Sequence, residues 1–240
     1  MGAEQPPGLL DLIDGRRGHF QLESGHHGEL WLDLDTLFVH PARLVPFVED
    51  LAQQLARRVT PTAVCGPLLG GALLAGAVAT LLDIELYVAE PVARADGDRE
   101  LFGVRYAVPD TIRDRELFGA RYAVPDTIRA RLRGQRVAVI DDVVNAASAT
   151  RATVSDLRAA GGEVVAIGAL LVLGTSAAAY AEQEGLALVR VQAMPNRIWE
   201  PRGCPLCAAG EPLEHPGANA TTPGDQGDDS PSTPHPGRWR

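Results

Sequence analysis

Apolar positions along the chain change their period several times. "FQLESG" and "ELWLDLDTL" alternate apolar and polar residues, with Leu30, Leu32 and Leu34 on one face, which predicts strands covered on one side. "PARLVPFVEDLAQQLARR" instead returns Leu44, Phe47, Val48, Leu51 and Leu55 at helical spacing. Farther on, "TAVCGPLL", "ELYVAEPV", "RVAVIDDVV", "EVVAIGALLVLG" and "LALVRVQA" are short, nearly continuous apolar runs, and "GGALLAGAVATLLD" and "SATRATVSDLRAAGG" between them read as helices. Apolar strands alternating with helices predict an α/β fold, a parallel-stranded sheet flanked by helices. Ligands of such sheets bind outside the carboxyl ends of the strands.

The same pattern sets the domain limits. Residues 1–7 read as a flexible start and residues 8–210 as one domain. From residue 211 to 240, Pro, Gly, Asp, Ser and Thr replace aliphatic residues, which predicts a disordered tail. Inside the domain, Asp98–Arg113 is repeated at once as Asp114–Arg129, Val104 against Ala120 being the one difference. Two copies are too few for a repeat architecture. A tandem duplication within a loop spanning residues 98–129 is the simpler reading.

Charge and cysteine content narrow the chemistry. The net charge is −9 and all 22 Lys+Arg residues are arginine, so general nucleic-acid binding and a catalytic lysine are both excluded. The longest apolar stretch is too short for a membrane span and no basic leader precedes an apolar segment, so a cytoplasmic protein with no membrane partner is expected. The 3 cysteines form no disulfide framework. Cys204 and Cys207, in "CPLC", have the spacing of half a zinc site, for which His215 is a candidate third ligand and a second copy a source of the rest. Unliganded thiols are the alternative.

The densest chemistry lies in "VAVIDDVVNAASATR". A buried strand ends at Asp141 and Asp142, whose side chains are expected on opposite faces, and a loop of small residues then opens a helix near Ser148. Carboxylates can accept hydrogen bonds from ligand hydroxyls, and the first N–H groups of the helix form an anion cradle. The pattern points to a sugar-phosphate site; an ordinary strand-to-helix turn is the plainer alternative.

This stretch resembles the phosphoribosyl-pyrophosphate (PRPP) motif of type I phosphoribosyltransferases, most closely the orotate-specific ones. The resemblance implies that Asp141 and Asp142 hold the ribose, and that Val144, Asn145, Ala146, Ala147, Ser148 and Ala149 form the 5′-phosphate loop. Asn145 and Ala147 stand where the family carries a hydroxyl residue and a glycine, and Ala147 would be strained if the loop requires positive φ. "AVCGPLLGGALLAGAVA" resembles the family's pyrophosphate loop, which places Leu69, Gly70 and Gly71 on the leaving group. "GHFQLESGHHGELWLDLDTL" resembles its amino-terminal base-binding segment, a small hood, which nominates Ser24, Gly25 and His27. The duplicated segment falls where the family has a long loop that closes over the site, and each copy offers an arginine, Arg105 or Arg121, to the catalytic set.

The resemblance therefore implies transfer of a phosphoribosyl group from Mg-PRPP to a pyrimidine base, orotate first, by a homodimer with Mg2+ as cofactor. The alternatives are a non-catalytic PRPP-sensing protein on the same fold and a transferase acting on a purine.

Overall fold

A computed structural model describes residues 8–22, 24–92, 100–101, 104–105 and 122–216, the side chains of 100–105 excepted. The chain opens with the antiparallel hairpin of β1 (Asp14–Gln21) and β2 (His27–Asp33), followed by α1 (Pro41–Arg58). Then come β3 (Ala63–Pro67), α2 (Gly70–Leu82), β4 (Glu85–Pro91), β5 (Glu100–Leu101), β6 (Val104–Arg105), β7 (Tyr122–Ala123) and α3 (Asp126–Arg129). The second half holds β8 (Arg136–Val144), α4 (Ser148–Ala159), β9 (Glu163–Leu173), α5 (Ser176–Glu184), β10 (Ala187–Met194), β11 (Ile198–Trp199) and α6 (Pro205–Ala208).

The central sheet runs β10-β9-β8-β3-β4-β7, and all its pairings are parallel except the last. Its inner strands are buried on both faces, which accounts for their unbroken apolar runs. On one face Leu44, Val48, Leu51 and Leu55 of α1 join Leu74 and Val78 of α2, together with Leu30 and Leu37. On the other, Val154 and Leu157 of α4 and Ala177, Tyr180 and Ala181 of α5 cover Val137, Val139 and Ile167. Strand order reverses between β3 and β8, since β3 leads outward to β4 on one side and β8 to β9 and β10 on the other. A crevice at the carboxyl ends of these two strands is where such a sheet receives its ligand.

Two stretches depart from the expected limits. The end of the second repeat copy is built into the fold: Tyr122 and Ala123 pair with Pro91 and Glu90, and Val124 is buried. The Val124 N–H and the Arg129 guanidinium both bond Asp156 on α4, the latter at 2.7 and 2.8 Å. The expected loop thus gives way to fixed structure by residue 122. At the other end, Glu211 and Glu214, within the stretch expected as tail, contact β1. The Gln21 N–H donates to the Glu214 carbonyl at 2.9 Å, the Glu214 N–H donates to the His19 carbonyl at 2.8 Å, and Arg16 pairs with the Glu214 carboxylate. Backbone pairing fixes this segment, and composition carries no sign of that. The hood hairpin is flanked on its other edge by β11, which pairs with β2.

Candidate active site

Two loops meet in the crevice. After β3 the chain passes through Leu68 and Leu69, joined by a cis peptide, into α2, whose first residues are Gly70 and Gly71. Opposite, Asp141 and Asp142 lie near the end of β8. A Cβ on Gly70 would sit 2.1 Å from Oδ2 of Asp142, and one on Gly71 would sit 2.8 Å from Oδ1 of Asp141. Both carboxylates therefore crowd the start of α2. The paired glycines leave a hollow that admits both, beside the partly positive end of a helix.

The crowding has an electrostatic cost. Burial, and then the neighbouring Asp142 charge, hold the Asp141 carboxyl well above its ordinary range. Burial also raises Asp142, although the Val143 N–H donates to its Oδ1 at 2.8 Å. Thr150 donates toward Asp141 Oδ2 at 3.4 Å from the first turn of α4. Thr150 was not singled out in the sequence, where it reads as one hydroxyl among several on the helix.

The loop between β8 and α4 carries the remaining candidates. Ala147 caps α4 with φ 62° and ψ 21°, the left-handed region in which a Cβ is disfavoured, and it is buried. Ser148 and Ala149 begin the helix. Asn145 accepts a hydrogen bond from Asn196 Nδ2 at 3.1 Å, so its side chain is tied to the segment after β10. Asn196 is a second residue that local sequence could not nominate, because the partner lies far along the chain.

The hood residues divide. Ser24 is buried at the hairpin turn, its hydroxyl 3.1 Å from His26 Nδ1, and Gly25 turns the chain with φ 79°. His27 is buried and points into the protein, its Nδ1 3.2 Å from Cys207 Sγ and 3.1 Å from His19 Nε2. Strand pairing helps place it there, since His27 pairs with Gln21 of β1, two residues from His19. Burial, then the nearby His19 and His215, lower its pKa. Arg121 lies outside the described residues, and Arg105 is described only as backbone of β6.

Residues 40–200 match the model of the phosphoribosyl transferase domain. The chain belongs to the type I phosphoribosyltransferase family. This phosphoribosyltransferase is 30% identical over 206 residues to the orotate phosphoribosyltransferase of Heliobacterium modesticaldum, covering 84% of the chain and 90% of that protein. It is 29% identical over 202 residues to that of Carboxydothermus hydrogenoformans, with 84% and 90% covered. The fold is shared with the crystal structure of orotate phosphoribosyltransferase from Aeropyrum pernix, at TM-score 0.53 and 20% identity over 75% of this chain and 88% of that one. It is also shared with the adenine-type enzyme of Giardia lamblia complexed with 9-deazaadenine, at TM-score 0.56 and 19% identity over 78% and 96%. The phosphoribosyltransferase has, among the described residues, no helix long and apolar enough to cross a membrane.

Proposed function

We propose that the enzyme transfers the phosphoribosyl group of PRPP to orotate. In this reading a ring nitrogen of the pyrimidine attacks C1 of the ribose, the C1–oxygen bond to pyrophosphate breaks, and a nucleoside 5′-monophosphate and pyrophosphate leave. The observation that carries it is the meeting of Gly70 and Gly71 with Asp141 and Asp142 at the point where strand order reverses. Leu69, Gly70 and Gly71 would receive the pyrophosphate with backbone N–H groups, and residues 144–149 would receive the 5′-phosphate at the start of α4. Asp141 and Asp142 would hold the ribose hydroxyls and stabilise the positive charge that builds on the sugar. Ser24 and Gly25 remain the candidates for the base.

Mg2+ fits the same place. Two adjacent carboxylates whose burial, with the Asp142 charge beside Asp141, favours a bound positive charge are a hard oxygen donor set. When bound with PRPP, the ion supplies charge neutralisation of the leaving pyrophosphate. Arg105 and Arg121 would add cationic charge from the duplicated segment. The homodimer belongs to this proposal too: Leu68, Leu69 and Leu73, next to the glycine loop, are 43%, 63% and 47% exposed and form a surface that a second copy would cover.

The test is pyrophosphate release from Mg-PRPP with orotate, uracil, adenine and hypoxanthine in parallel. Turnover with orotate is the expected result. Turnover confined to a purine would reassign the base. PRPP binding without turnover on any base would favour the sensing role, for which the strained Ala147 in the phosphate loop is the supporting observation.

A further inference from the structure

His19, His27, Cys204 and Cys207 bring four ligand atoms to within 4.8 Å of one another, and three of the four residues are buried. Their origins are far apart in the chain. His19 and His27 come from the two strands of the hood hairpin, and the cysteines from the segment that follows β11. All four lie outside residues 40–200, the span matched by the family's domain.

Four of the separations between these ligand atoms lie close to the edges of a metal tetrahedron. Zinc bonds of about 2.0–2.1 Å to nitrogen and about 2.3 Å to sulfur space tetrahedral ligand atoms roughly 3.3–3.8 Å apart. Here His19 Nε2 lies 3.1 Å from His27 Nδ1, 3.4 Å from Cys204 Sγ and 3.7 Å from Cys207 Sγ, and His27 Nδ1 lies 3.2 Å from Cys207 Sγ. The other ring nitrogen of His19 fixes the tautomer. A carbonyl can only accept, so Nδ1 of His19 donates to the Glu211 carbonyl at 2.9 Å. The neutral ring then turns its Nε2 lone pair toward three neighbours at once, and one lone pair cannot serve three donors. A cation at the centre resolves this, and a backbone carbonyl that accepts from the outer N–H is a usual second partner of a metal-binding histidine. Two thiolates and two neutral imidazoles also leave a divalent ion with no net charge, which suits buried surroundings.

We propose that His19, His27, Cys204 and Cys207 bind one structural Zn2+. The His215 ligand and the completion across a dimer, both expected from the isolated "CPLC", are replaced by two histidines of the same chain. The site closes the hood. Residues 198–216 embrace the β1–β2 hairpin from both edges, with β11 on β2 and Glu214 on β1, and the ion would tie this strap to both strands. Four protein ligands leave no open position, which marks the site as structural and not catalytic.

The full chain, purified without added metal or chelator, should carry about one zinc per chain by inductively coupled plasma mass spectrometry. Replacing that zinc with Co2+ should give the visible bands of tetrahedral cobalt and a thiolate charge-transfer band, without any variant. Cys65→Ser should keep the metal and Cys204→Ser/Cys207→Ser should lose it. If the double variant does not fold, His27→Cys, which retains four ligands, should keep the metal. Metal-free protein that takes up neither Zn2+ nor Co2+ after reduction overturns the proposal, as does a Cys204–Cys207 disulfide persisting in reductant. Metal content is read independently of turnover, so failure on orotate leaves this result standing and the converse also holds.

Discussion

Gly70 and Asp142 are separated by so little space that a methyl group on the glycine would overlap the carboxylate, its Cβ 2.1 Å from Oδ2. Neither side can give way cheaply, since Gly70 starts a helix and Asp142 is buried at the end of a strand whose inner residues are also buried. Gly70→Ala should therefore push the carboxylate out of place. Overpacking of this kind costs about 1–3 kcal/mol, so the protein should still fold with a lowered Tm. PRPP affinity should fall at least tenfold. Calorimetric titration with Mg-PRPP that finds parental affinity would separate the glycine loop from the substrate site.

Asp142→Asn addresses the carboxylate itself. Losing one charge-assisted hydrogen bond to the ribose costs about 1.5–3 kcal/mol, a weakening of PRPP binding of roughly 10- to 100-fold. A folded variant with unchanged affinity would remove Asp142 from the site.

The same pair predicts a pH effect on stability without ligand. Burial first, and for Asp141 the Asp142 charge next, raise both folded-state pKa values. The unfolded chain releases these protons near pH 3.9, whereas the folded chain holds them to higher pH, so stability falls as pH rises through that window. Asp141→Asn should reduce this loss, leaving the part that burial of Asp142 causes. In thermal melts without PRPP the variant should exceed the parent by a few degrees at pH 7–8, and the advantage should shrink toward pH 4. A variant less stable than the parent at pH 8 would show that the ionised carboxylate is well accommodated.

Much of this site was legible because it is local. Asp141, Asp142 and the β8–α4 loop follow one another in the chain, and Gly70 and Gly71 open a helix with an unmistakable apolar run. Strands β3, β8 and β9 announced themselves by burial on both faces. Helix α5 did not, because its buried face is built from Ala177, Tyr180 and Ala181, and small residues give weak periodicity. The bond between Asn145 and Asn196 and the grouping of His19 and His27 with Cys204 and Cys207 depend on tertiary pairing across most of the chain, which spacing alone cannot express. The main-chain bonds that hold Glu214 to β1 are likewise tertiary pairing that composition does not express.

Ala147 has φ 62°, where a Cβ costs about 1–2 kcal/mol, against which its buried methyl returns about 0.8 kcal/mol. Ala147→Gly should then leave stability level or raise it by up to about 1 kcal/mol, and it should preserve PRPP binding. Loss of binding with an intact fold would mean that the methyl itself shapes the phosphate loop.

The duplicated segment yields the most discriminating comparison. In the second copy, Tyr122 and Ala123 pair with the edge of β4, Val124 is buried, and Val124 and Arg129 share Asp156 on α4. Every one of those residues has an identical counterpart in the first copy, from Tyr106 to Arg113. There is one β4 edge and one Asp156, so one copy is enough to complete the sheet. Deleting Asp98–Arg113 or deleting Asp114–Arg129 leaves chains that differ at one position alone, Ala in one and Val in the other. Both should fold. Halving a loop changes its closure cost by only about 0.6 kcal/mol, so both should melt within a few degrees of the parent and of each other, and any turnover should persist. Replacing Arg105 and Arg121 together by alanine should lower turnover more than Tm if the segment supplies cationic charge to the site. Unfolding of either deletion variant would instead show that both copies contribute to the core.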